Sequence, residues 1–296
     1  MSLTVGSLFA GIGGFDLGFE RAGFEIKWQV EIDPFCRRVL EKHWPDVRRY
    51  EDVRRCYGVD RQTCAQLGEV DWDAERDTHE ARGYPSLTNS TDGVDGPYWT
   101  EPLEYVDVLC GGFPCQDISH AGDGAGLDGE RSGLWFQMLR LVRELRPRYV
   151  VVENVSALLD RGLGTVLGGL AESGYDTEWA SFPTGRQMGH ERERVFIVAH
   201  LVREGLPQWS HPHQVRVDAP RIFTGQRFAG FLAGIDSRQV WADRPLLGRG
   251  IHGIPQRVDR VRALGNAINP HVCQAIAERI KEAELVGECG THSTTR

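Results

Sequence analysis

The sequence predicts an α/β fold, a mostly parallel sheet with helices connecting its strands. Three observations lead there. Short apolar runs at Leu3 to Phe9, Ile26 to Val30, Val106 to Cys110 and Tyr149 to Val155 have the length of buried strands. Between them, apolar residues recur at helical spacing, as in Leu134, Met138, Leu141, Val142 and Leu145. The strands also run out into glycines or acids, the residue types that serve ligands at the carboxyl edge of a parallel sheet.

The first strand, Leu3 to Phe9, leads into Ala10-Gly11-Ile12-Gly13-Gly14 and a helical pattern from Phe15 to Ala22. Strand, glycine turn and helix N-terminus together make a nucleotide-type cradle. Asp16 stands where the last glycine of a dinucleotide pattern would fall, so no pyrophosphate is obviously cradled. The strand Ile26 to Val30 ends at Glu31, about 20 residues beyond the glycines, where an acid can hydrogen-bond both hydroxyls of a ribose. A helix at Cys36 to Lys42 and a short strand at Val47 to Tyr50 follow, the strand ending at Asp52 and Val53.

The run Val106 to Cys110 enters Gly111-Gly112-Phe113-Pro114-Cys115-Gln116, which presents a thiol on a stiff turn at the sheet edge. The glycine-rich stretch from Asp117 to Gly133 reads as a lid tethered at both ends, leading to the helix Leu134 to Leu145, which stops before Pro147. The continuous run Tyr149 to Val155 fits a central strand covered on both faces, with Glu153 near its end; a carboxylate partly buried there is expected to hold a raised pKa. A helix at Leu163 to Ser173 and strands at Thr177 to Phe182 and Arg192 to Ala199 follow, and Arg192 and Arg194 share one strand face. Taken singly, each feature has a plainer reading. Cys115 could be a buried cysteine in a tight turn, Glu153 a helix cap, and the arginines surface ion pairs.

A chain of 296 residues, 41% hydrophobic and 26% charged, has the composition of a globular protein with a full core. No apolar run reaches the roughly 18 residues needed to span a bilayer and no cleavable leader is seen, so a cytoplasmic protein without membrane contact is expected. Seven cysteines with no Cys-x-x-Cys pair suggest neither a disulfide framework nor a metal site. The net charge of -8 is unevenly spread. Acids predominate within about 56–104, which reads as a solvated insertion, whereas Arg216 to Arg262 holds nine arginines against four acids and would attract a polyanion. After Leu201 the pieces become short, proline-punctuated and aromatic, as in a small separate domain, until the helical stripe of Val272, Ile276 and Ile280 between His271 and Leu285.

In their order along the chain, Phe9-Ala10-Gly11-Ile12-Gly13-Gly14, Pro114-Cys115-Gln116, Glu153-Asn154-Val155 and Gly265-Asn266-Ala267 resemble the motifs of the C5-type DNA cytosine methyltransferases. The resemblance covers Leu3 to Asp52, Asp107 to Ala199 and Asp259 to Leu285. It implies a Rossmann-like, S-adenosylmethionine-dependent α/β methyltransferase domain, formed by 1–200 with 259–286. It also implies a small, mostly irregular or β target-recognition domain at 201–258, and a flexible tail at 287–296.

It further implies a monomeric enzyme acting on double-stranded DNA by rotating a cytosine out of the duplex. Cys115 would attack C6, Glu153 would bind or protonate N3, and Arg194 with Arg192 would steady the base. Gln116, Ser119 and Asn154 would contact substrate. Phe9, Gly11, Ile12, Gly13, Gly14, Glu31, Ile32, Asp52, Val53, Pro114, Leu134, Asn266 and Ala267 would line the S-adenosylmethionine pocket, and no metal is implied. His190 departs from the glutamine that the family often carries, and the insertion has no counterpart in compact members. A tRNA cytosine methyltransferase, a catalytically silent DNA-binding relative and a nicotinamide oxidoreductase are the alternative readings.

Overall fold

The computed structural model describes residues 2–59, 101–114, 133–183, 193–202 and 266–290. Cys115, Gln116, Ser119 and Arg192, the acidic stretch 60–100 and the segment 203–258 lie outside the described residues.

Among the described residues, seven strands form one sheet in the order β3-β2-β1-β6-β7-β9-β8. They are β1 (Thr4–Leu8), β2 (Glu25–Val30), β3 (Arg48–Tyr50), β6 (Val108–Gly111), β7 (Tyr149–Val155), β8 (Tyr175–Pro183) and β9 (Glu193–Leu201). From β3 to β7 the neighbours are parallel. β9 then runs antiparallel to both β7 and β8, so β7 has one parallel and one antiparallel neighbour. The chain leaves β1 toward β2 on one side and returns to β6 on the other, which opens a crevice at the carboxyl edge between β1 and β6.

Period-two alternation decides which helix covers which face. Leu8, Leu109, Val150 and Val152 meet α3 (Leu134–Leu145), α4 (Leu158–Arg161) and α5 (Leu163–Glu172) through Trp135, Met138, Leu141, Leu158 and Val166. The alternate residues Val5, Val108, Tyr149 and Val151 meet α1 (Gly14–Arg21) and α6 (Pro270–Gly290) through Phe15, Phe19, Val272 and Ile276. Because both faces are covered, β7 is apolar almost throughout. α2 (Pro34–His43) is started by Asp33, whose side chain accepts from the amides of Phe35 and Cys36, with Pro34 in its first turn.

α1 and α6 pack very closely. A Cβ on Gly18 would stand 2.5 Å from the Cβ of Cys273, and one on Gly14 would stand 2.4 Å from the carbonyl oxygen of Ile268. Glycine at these two places lets the C-terminal segment lie against the turn that follows β1.

Two expectations change. The ends of the acidic segment are not loop: β4 (Cys56–Gly58) and β5 (Glu101–Leu103) form a parallel two-stranded sheet, with Cys56 and Leu103 buried in the main core. On α3, Arg140 donates to the carbonyls of Val53 and Cys56, and Glu144 accepts from the Gly58 amide. The last helix also continues to Gly290, past the expected end at Leu285, because no proline interrupts it and glycine at 287 only weakens a helix. Residues 287–290, read as tail, are therefore helical.

Candidate active site

The carboxyl edge gathers two groups of residues on either side of the β1/β6 crevice. On the first side, β1 delivers Phe9 and Gly11 in left-handed backbone conformations, with φ of 53° and 57°, and Gly13 caps α1 at φ 86°. Positive φ is expected of glycine but not of Phe9; it marks strain held where the chain bends out of the sheet. Sequence reasoning found the glycines by type and had no signal for the strained Phe9.

Glu31, at the end of β2, is held from both sides. Its Oε2 accepts from the Gly11 amide at 2.7 Å and its Oε1 from the Asp33 amide at 2.8 Å. Burial raises its pKa, partly offset by these amide bonds. Each oxygen retains acceptor capacity for a hydroxyl. Ile32 beside it is 62% exposed, an apolar surface left open among the described residues. Asp52 caps the 3-10 turn Val53–Arg55 and pairs with Arg54 at 2.7 Å; burial pushes its carboxyl up, but the Arg54 bonds outweigh this and leave it below the ordinary value. Val53 is buried beneath.

These residues fit an adenosyl group. A fixed carboxylate faces the crevice with spare acceptor sites, an exposed isoleucine offers a face for a flat ring, and the glycine turn permits close backbone approach. Ile268 lies against Gly14 of the same turn, and Leu134, half-buried at the start of α3, packs with Phe9 against one core cluster.

On the second side, β6 ends in Gly112-Phe113-Pro114, the turn that precedes Cys115. Two residues of β7 hold it. Asn154 Nδ2 donates to the Phe113 carbonyl at 3.3 Å, while its Oδ1 accepts from the Val155 amide. Glu153 Oε2 lies where a Cβ on Gly112 would meet it at 3.1 Å, so glycine at 112 lets the carboxylate approach the turn. Glu153 is 6% exposed and forms an ion pair with Arg194 of β9, Nε to Oε1 at 2.9 Å. That pairing depends on the antiparallel β7/β9 register, which sets Arg194 opposite Val155. The Phe113 ring lies 5.5 Å from that of Trp135, clamping the turn from the α3 side.

The structure thus brings together Glu153, Arg194 and the turn before position 115, and separately Phe9, Gly11, Gly13, Glu31 and Ile32. Asn154, expected to touch substrate, has its carboxamide turned to the backbone of Phe113. Glu153 does not cap a helix, since α4 is preceded by Ala157. Ile268 was not foreseen: its carbonyl lies against Gly14 and its side chain against Gly112, so it bridges the two groups. Among the described residues no cluster of metal-ligating side chains occurs, and no helix is long and apolar enough to cross a membrane.

The family model for C-5 cytosine-specific DNA methylases matches residues 3–73 and 95–220, two thirds of the chain and every element of the first two strands and the β6–β9 set. The chain belongs to that family. The match omits 74–94, inside the acidic segment, and ends before α6. Among curated relatives, the Type II methyltransferase M2.BsuMI of Bacillus subtilis is 29% identical over 213 residues, 68% of this chain and 43% of that protein. M.AluI of Cellulosimicrobium cellulans is 31% identical, covering 67% of this chain and 33% of its own length. M.AquIA of Picosynechococcus is 29% identical, over 66% and 70%. The chain thus spans about two fifths of several of the relatives it matches. Among solved structures, the Entamoeba histolytica methyltransferase EhMeth has a TM-score of 0.44 at 13% identity, covering 69% of this chain and 54% of that one, a likeness too loose to bear weight.

Proposed function

We propose that this chain transfers a methyl group to C5 of a cytosine in double-stranded DNA, with Cys115 as the nucleophile. The observation that carries the reading is the Glu153–Arg194 ion pair seated against Gly112, three residues before Cys115, at the carboxyl edge of the sheet. Membership of the family and the naming of its relatives as Type II methyltransferases support DNA rather than tRNA as the substrate.

C5 of cytosine is not nucleophilic while the ring is aromatic, so a group must first add at C6. The Cys115 thiolate forms that bond, and the electrons move toward N3, which takes a proton from Glu153, itself protonated from solvent as the base enters. Arg194 orients Glu153 through the ion pair and holds a countercharge beside it. Arg192 lies two residues before it in sequence and is assigned to the base or its backbone. Asn154 and Trp135 fix the Gly112-Phe113-Pro114 turn that precedes Cys115 in the sequence. S-adenosylmethionine, when bound in the glycine cradle over Glu31 and Ile32, supplies the methyl group. Loss of the C5 proton then expels the Cys115 thiolate, and N3 returns its proton to Glu153. The base must leave the duplex for any of this, because C6 is inaccessible within the stack. Gln116 and Ser119, next to the nucleophile in sequence, are assigned to the extruded nucleotide. The arginine-rich segment 216–262 is assigned to the DNA backbone, and a monomer acting in the cytoplasm completes the reading.

The test is transfer of a labelled methyl group from S-adenosylmethionine to duplex DNA and, in parallel, to tRNA, followed by bisulfite sequencing of the product. Label at C5 of cytosine in DNA alone is expected. Label confined to tRNA, or none with folded protein, refutes the assignment.

A further inference from the structure

α1 begins at the cradle, and its first residues have no side-chain cap. A helix N-terminus carries about half a positive charge, which favours a phosphate and disfavours a cation. In this chain the first turn of α1 contains Asp16, in the place where a pyrophosphate cradle has its last glycine. Asp16 is fully buried, and among the described residues its side-chain hydrogen-bond donors are neutral: Ser7 Oγ at 3.2 Å and Gln29 Nε2 at 2.9 Å, beside its own backbone amide. Ser7 lies on the strand that leads to Phe9 and Gln29 on the strand that leads to Glu31, so the carboxylate also ties both cradle strands to α1.

A buried carboxylate is ordinarily matched by a basic side chain. Asp16 has no ion pair among the described residues. The titratable groups around it are Glu20 on its own helix, Cys110 on β6 and Cys273 on α6. Burial pushes both thiols well above their usual range, so they stay neutral. Burial likewise raises Asp16, from 3.8 to about 6, which leaves it ionised at neutral pH.

We propose that Asp16 sets the charge preference of the cradle: its buried negative charge offsets the field of the α1 N-terminus, so that the site holds a cationic sulfonium donor in preference to the neutral thioether left after transfer. This rests on the reading above that S-adenosylmethionine is the methyl donor. The donor and its demethylated product share adenine, ribose and amino acid and differ by one methyl group and one charge. A buried anion is therefore a means of telling them apart that needs no extra contact, and it speeds exchange of product for fresh donor.

The experiment is calorimetric titration of the full chain and of Asp16→Asn with S-adenosylmethionine and S-adenosylhomocysteine. Replacement by asparagine is expected to lower the ratio of donor to product affinity about tenfold, the size of one partly screened charge interaction, with product affinity held within about twofold. With the unaltered protein, the same ratio should fall as the pH is lowered through about 6. Glu31 is a second carboxylate of the cradle, and burial raises its pKa too, so the pH series is run in parallel on Asp16→Asn, where any pH dependence of the ratio that remains belongs to Glu31. Equal weakening of both ligands, or a ratio indifferent to pH in the unaltered protein, overturns the proposal. Should Asp16→Asn fail to fold, the pH series on Glu31→Gln decides, because Asp16 is then the titrating carboxylate left beside the cradle. Failure of the unaltered protein to bind either ligand refutes the cofactor reading itself and the proposal with it, whereas tight binding of both with a constant ratio refutes only the role of Asp16.

Discussion

The two sides of the β1/β6 crevice bury carboxylates in opposite ways. On the cradle side, the Glu31 and Asp16 carboxylates accept, among the described residues, from neutral donors, backbone amides for one and Ser7 with Gln29 for the other, while Arg37 acts on Glu31 only through space and at its backbone carbonyl. On the β7 side, Glu153 is held by a guanidinium, and its neighbour Asn154 grips the turn before Cys115. A carboxylate fixed by neutral donors keeps its charge available to an incoming ligand. One fixed by arginine is already compensated, and its part is to be aimed and to exchange a proton. The comparison teaches that one sheet edge can serve binding and chemistry separately, by the choice of partner given to each acid.

Four substitutions sharpen or break that division. The largest effect is expected from Cys115→Ala, which should lower methyl transfer by at least about a thousandfold while leaving donor affinity nearly unchanged; single-turnover transfer and calorimetry separate the two. Next, Glu153→Gln should reduce the transfer rate by about a hundredfold or more, with donor affinity again preserved. A matching loss of donor binding would show that the two sides are not independent. Glu31→Ala should act in reverse, weakening donor binding by about 2 kcal/mol, the worth of hydrogen bonds to a charged group, with a smaller effect on transfer at saturating donor.

The smallest effect is on stability. Burial raises the Asp16 pKa from 3.8 to about 6, so its stabilising contribution is present below 3.8 and is lost as the pH rises through about 6. That loss is at most about 3 kcal/mol, and weakened bonds to Ser7 and Gln29 offset part of any relief. Asp16→Asn should therefore raise stability by about 1 kcal/mol near pH 8 and by nothing at pH 3 to 4, measured by urea unfolding at both pH values. A gain of the same size at both would rule out the charge as its cause.

Much of this arrangement was legible in the sequence, and the legible parts share a physical cause. β7 and α3 were read with their observed bounds, because a seven-residue apolar run and an amphipathic stripe ending before Pro147 each leave one interpretation. Glu31 and Glu153 were found because an acid at the end of an apolar strand has no packing reason to be there. β4 and β5 were not found: three residues show no periodicity, and a long polar segment separates them in the chain. Nor does a run such as Val195 to Ala199 carry its own direction, so the antiparallel turn of β9 that brings Arg194 to Glu153 emerged only in three dimensions. Asp16 was noticed as a departure from a glycine pattern, but its burial and its neutral partners depend on residues 9 and 13 positions away.

The division of labour across the crevice presumes that a thiol following the Gly112-Phe113-Pro114 turn attacks the base. Duplex DNA bearing 5-fluorocytosine at the methylated position, incubated with the protein and S-adenosylmethionine, tests this directly, because fluorine at C5 cannot leave as a proton and the adduct persists. Peptide mass spectrometry should then find the nucleotide bonded to Cys115. Its absence from folded, donor-binding protein, or its attachment to another cysteine, would contradict the account.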